Sequence, residues 1–232
     1  MSKFVPFDAS RPIKYTFAMN KIIQSTIDKE TYEAIYKMLD AVDPVDFDCG
    51  TLCGGLCCTC SYEPDEEFRV DSDENADSYM GLYLLPGEDA IYEMNPASPD
   101  TDADWLDLGY LVAEDYEFPE SWHGKVCFAQ CKTAPHCKRK KRPIQCRTFP
   151  LAPHIDENGV FSMILNQDPL PYECPLVVRN ILRGGDLKLN DDFIEATYAA
   201  WQKLLHDPLI LDLVELDSQY RIDEGCDITV VL

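Results

Sequence analysis

Apolar residues recur at three- and four-residue intervals over 28–42, where Tyr32, Ile35, Tyr36, Leu39 and Val42 share one side of a helix. Asp43-Pro44 ends it. The same period returns in the last quarter of the chain. Residues 175–182 read as a helix that stops at Gly184-Gly185. Residues 191–206 set Phe193, Thr197, Ala200, Trp201 and Leu204 on one face, with Asn190 as N-cap. Pro208 opens a further helix to Tyr220 with a stripe of Leu209, Leu213 and Leu216. Such stripes build core rather than a cofactor face.

Between these helices the pattern shortens. Residues 79–85, 105–112, 122–128 and 160–166 are predicted strands, the last following the Asn158-Gly159 turn. Gly87–Met94 is predicted as a brief helix. Residues 43–61 and 129–151 are predicted loops that hold most of the cysteines, and 62–78 and 95–104 are predicted polar loops. The expected class is α+β, a small antiparallel sheet and cysteine-rich loops around a metal centre, with a C-terminal helical portion. The expected organisation is one domain, 1–232: an N-terminal helical segment (1–45), a cysteine-rich metal-binding core (46–175) and C-terminal helices (176–232).

At 232 residues and 46% hydrophobic, the chain can bury a core without disulfides. No run approaches the ~18 apolar residues of a membrane span. Met1 to Phe17 is interrupted by Pro6, Asp8, Arg11, Pro12 and Lys14 and has no leader-like apolar run. A cytoplasmic location without a membrane partner is expected. Net charge is −22 and unevenly spread: residues 61–120 carry 19 acidic groups and one basic, whereas 121–150 carry eight basic groups and no acidic one. The acidic total argues against a nucleic-acid partner; a protein partner is left open. The basic run Lys138–Arg142 is read as a solvated loop, as compensation for an anionic centre or a dock for an anionic ligand, or, against its acidic surroundings, as a nucleic-acid patch.

The cysteines change the picture most. Of eleven, five lie between Cys49 and Cys60 and four between Cys127 and Cys146. A disulfide framework needs an oxidising compartment, and adjacent Cys57 and Cys58 bridge poorly. Cysteine as a small buried hydrophobe suits Cys226. Dense groups interleaved with Gly50, Gly54 and Gly55 fit thiolate ligation of a soft metal, where inward amides stabilise sulfur charge. Four thiolates hold zinc or an iron–sulfur cluster equally well, so both stay open. His136 abuts Cys137, but none of the four histidines has a companion at ligand spacing, and no Ser-His-Asp or Cys-His arrangement is present. Counted from Cys49, the Cys-x3-Cys-x2-Cys spacing of radical S-adenosylmethionine chemistry fails, because Leu56 stands at its third position.

Cys53-Gly-Gly-Leu-Cys57-Cys58, preceded by Cys49, resembles the Cys-x2-Cys-x2-Cys-Cys signature of the zinc- or iron-chelating cysteine-cluster family of small bacterial proteins. Cys137 to Leu151, containing Arg142-Pro143, Cys146-Arg147 and Phe149-Pro150, resembles that family's second block, and Leu84–Glu88 resembles a segment from one branch. Cys127 and Cys174 fall where the family has further cysteines. The resemblance covers about 49–175. It implies a metal site drawn from Cys49, Cys53, Cys57, Cys58, Cys127, Cys137, Cys146 and Cys174, holding an iron–sulfur cluster or zinc. The same family includes a flagellin lysine N-methylase, so the resemblance also raises an iron–sulfur-dependent protein methyltransferase-like activity as the alternative.

Overall fold

A computed structural model describes residues 21–59, 81–92, 106–131, 142–168, 173–182 and 184–232. The Asp28 carboxylate accepts the Thr31 amide at 2.8 Å and starts helix α1, Lys29–Leu39. Its buried residues are Tyr32, Ile35, Tyr36 and Leu39, as the apolar period requires. Two four-residue helices follow, α2 (Gly50–Cys53) and α3 (Leu56–Thr59). The predicted first loop is therefore partly helical.

Strands β1 (Gly81–Tyr83), β2 (Leu106–Val112) and β3 (Lys125–Cys131) form an antiparallel sheet in the order β1-β3-β2. Phe128 is opposite both Tyr83 and Gly109. A 3-10 helix at Glu88–Tyr92 links the first two strands. Beyond α4 (Ile144–Thr148), a hairpin pairs β4 (Leu151–Ile155) with β5 (Phe161–Leu165). Three helices close the chain: α5 (Pro175–Leu182), α6 (Asp191–Leu204) and α7 (Pro208–Asp223). The main core lies between α1, α6, α7 and the hairpin, with Phe193, Trp201, Met163 and Leu176 inside it. The class is mixed α and β with small antiparallel sheets, and none of the described helices is long and apolar enough to cross a membrane.

Several expectations need correction. The strand placed at 122–128 begins at Lys125, because Trp122 is committed elsewhere. It stacks on Phe118 at 4.9 Å, and its Nε1 donates to the Leu209 carbonyl at 2.9 Å. The second loop placed at 129–151 yields strand to Cys131 and helix from Ile144; residues 132–141 lie outside the described residues. Asn190 precedes α6 but makes no side-chain cap. Its amide nitrogen donates instead to the Asp43 carbonyl (3.1 Å) and the Asp46 carboxylate (2.9 Å), tying α6 to the chain before the first cysteines. In α7 the buried face is Ile210, Leu213, Val214, Ser218 and Arg221, and Leu216 is exposed.

Gly87 marks a close approach. Its φ is +84°, and a Cβ there would lie 2.8 Å from the Ser25 Cβ. Gly87→Ala is expected to cost about 2 kcal/mol in urea unfolding, combining backbone strain with a clash.

Candidate metal centre

The first cysteine block is shaped by short-range hydrogen bonds. The Asp48 carboxylate accepts the Gly50 amide at 3.0 Å, and Thr51 Oγ1 donates to the Asp48 carbonyl at 2.7 Å. These start α2 immediately after Asp48, so Cys49 and Cys53 stand four residues apart along one turn. Gly54, at φ 68°, ends α2 and returns its amide to the Gly50 carbonyl at 2.7 Å. Cys57 on α3 is exposed.

Cys174 comes to this block from far along the chain, immediately before α5. Burial pushes its thiol up, the amides of Val177 and Leu176 favour its thiolate, and the nearby Cys53 and Cys49 push it up again. Both Cys49 and Cys174 pack against the main core. Two of the sequence-selected cysteines, Cys49 and Cys53, thus act electrostatically on a third, Cys174.

The other candidates are placed differently. Cys127 on β3 is buried among Leu84, Leu108 and Ala129, and its thiol is pushed up to about 12 by burial, with Asp89 and Glu88 adding to it. Cys146 sits half-buried on α4. Cys58 lies in α3 with its side chain outside the described residues, as is all of Cys137. Among the described residues, no three His, Cys, Asp or Glu side chains are gathered tightly enough to hold an ion.

The second block is held rigidly where it is described. Glu88 is fully buried and accepts from the Tyr36 hydroxyl (2.6 Å), the Ile144 amide (2.7 Å) and the Leu85 amide (3.0 Å). Burial raises its carboxyl, against the pull of these donors and of Arg147. Glu88 therefore anchors the first amide of α4, two residues before Cys146. Arg147 is 1% exposed. Its Nε donates to the Arg142 carbonyl at 2.6 Å, its Nη1 reaches the Asp40 carboxylate, and its guanidinium lies 4.2 Å from the Tyr36 ring centre. In the sequence Glu88 stands out only as the last residue of the Leu84–Glu88 segment, and its anchoring role is hidden among the many acids around it.

Arg142, the last residue of the basic run, lines a cavity of about 920 Å³ together with Cys49, Asn190 and five aspartates, Asp43, Asp46, Asp48, Asp191 and Asp192. Cys49 of the first block and Arg142 of the second thus line one cavity. The donors fit a thiophilic ion on chemistry: two sulfurs from one helical turn, and a third backed by amides at a helix start. No family model matches the chain, and no curated protein or solved structure matches it either.

Proposed function

We propose that the protein binds a thiophilic metal, as zinc or within an iron–sulfur cluster, through Cys49, Cys53 and Cys174, with a further thiolate from the candidates Cys57, Cys58, Cys137 and Cys146. The observation that carries this reading is that Cys174 and Cys49 pack against the same core and that Cys53 and Cys49 act on the Cys174 thiol across more than a hundred residues of chain. Thiolates that act on one another repel when ionised, and a cation drawn in between them would remove that penalty. The bound group would supply either charge neutralisation of the thiolates or, as a cluster, electron transfer. The resemblance to the zinc- or iron-chelating family supports the same reading. Cys127 is left out of the set because its surroundings are apolar.

Metal content of protein purified without oxygen tests this. Iron with acid-labile sulfide and absorption near ~400 nm identifies a cluster, and zinc without colour identifies a zinc site. Cys174→Ser is expected to lower metal affinity at least ~10-fold, the scale on which even outer partners of a metal act. Cys226→Ser is expected to leave affinity unchanged. Equal metal content in wild type and Cys174→Ser would sink the proposal.

A further inference from the structure

The turn between β4 and β5 carries the chain's single Asn-Gly pair, Asn158-Gly159. Both residues are exposed. Gly159 turns at φ 76°, and a Cβ there would meet nothing within 4 Å, so the space beside its backbone is open.

Asp156 builds this turn. Its Oδ1 accepts the Asn158 amide at 2.9 Å and the Val160 amide at 2.8 Å. Its Oδ2 accepts the Asn158 Nδ2 at 3.4 Å. The Asp156 carbonyl accepts the Gly159 amide at 2.9 Å, and the Asp156 amide donates to the Val160 carbonyl at 3.1 Å. A turn closed this way is local and needs no partner from elsewhere in the fold. The Val160 amide and then the Asn158 amide hold the Asp156 carboxyl below the usual range, so it stays an ionised acceptor at neutral pH.

Asparagine before glycine carries its own chemistry, because the following amide nitrogen has no side chain beside it. That nitrogen attacks the Asn158 Cγ. A new C–N bond closes a cyclic imide, the carboxamide C–N bond breaks, and ammonia leaves with the proton that the Gly159 nitrogen gives up. Water then opens the imide at either carbonyl. The product is aspartate, or isoaspartate with an extra methylene in the main chain. Water is the co-reactant, and no oxidant or reductant takes part.

We propose that Asn158 is a site of spontaneous deamidation whose rate is set by the Asp156 turn. In the turn the Gly159 N–H is donated to the Asp156 carbonyl, so the nucleophile must first leave that bond. The Asn158 carboxamide is held at the same time by the Asp156 carboxylate. Attack therefore waits for the turn to open. Conversion sets a carboxylate where Nδ2 now donates to Asp156, so the product no longer supports the turn that delayed it.

Peptide mass mapping of the full chain during incubation at neutral pH follows the exchange of the Asn158 amide for a hydroxyl. Conversion is expected to be at least ~10-fold slower in the native protein than in urea. In native Asp156→Ala it should come within about 3-fold of the urea rate. An Asn158 that stays intact in urea overturns the site. Equal native and urea rates overturn the control by the turn, and so does a native Asp156→Ala rate equal to that of wild type. Should Asp156→Ala not fold, wild type alone decides. The hydrogen-exchange protection of the Gly159 amide should then match, within about 3-fold, the factor by which folding slows conversion. A larger mismatch overturns the proposal.

Discussion

Arg147→Ala is expected to lose about 3–5 kcal/mol of unfolding free energy, the scale for deleting one partner of a buried ion pair. Four things fail together. Asp40 keeps a partly buried charge without its partner. The Arg142 carbonyl loses its donor, the Tyr36 ring loses the guanidinium above it, and the space the side chain filled becomes a void. Arg147→Lys should recover less than half of the loss, because an ammonium cannot fork between a carbonyl and a carboxylate while lying flat on a ring. Urea unfolding with an unchanged slope measures it. A loss under about 1 kcal/mol would mean that α4 is held to α1 by packing alone.

Asp207→Ala is expected to cost about 3 kcal/mol or more. This fully buried carboxylate accepts the Leu209 (2.9 Å) and Ile210 (3.2 Å) amides as N-cap of α7. It also accepts the Ser25 hydroxyl (2.7 Å), the Thr26 hydroxyl (2.8 Å) and the Thr26 amide. Burial alone would raise its carboxyl, but the bonds from Ser25, Thr26 and Ile210 outweigh burial and hold it below the usual range. A lowered carboxyl contributes stability that is present above its unfolded value of about 4 and lost as pH falls through the folded value. The gap between wild type and Asp207→Asn should therefore be widest near neutral pH and close below about pH 4. A gap that stays constant from pH 7 to pH 3 would show that charge plays no part and only hydrogen-bond geometry matters.

Helices α1 and α6 were legible in the sequence because one face of each meets the core and the other meets water. The apolar face expected for α6 is buried residue for residue. Helix α7 was misread because apolar residues stand on every side of it, so the period does not say which side turns inward. Strand β4 was missed because Pro150 fell in the loop predicted to residue 151 and no element was expected over Pro153. The hairpin tolerates them because β4 is an outer strand, where a missing amide breaks no ladder. Asn190 looked like a cap, and a partner about 145 residues earlier in the chain claims its amide instead. Arg147 bonds the Arg142 carbonyl and pairs with Asp40, partners that its place in the Cys146-Arg147 motif does not reveal. For the site, spacing marked the cysteines, but only the tertiary path lets Cys49 and Cys53 act on Cys174.

The contact between Asp207 and Ser25 spans 182 residues of chain. On a ribosome adding roughly 5–20 residues per second, Ser25 and Thr26 would wait on the order of 10–40 s for the carboxylate that accepts their hydroxyls. Helix α1 emerges with an apolar face whose cover, α6, is translated well after it. The nascent protein therefore passes through a long interval with that face open, and a holdase chaperone should be found on it most often before the ribosome reaches α6.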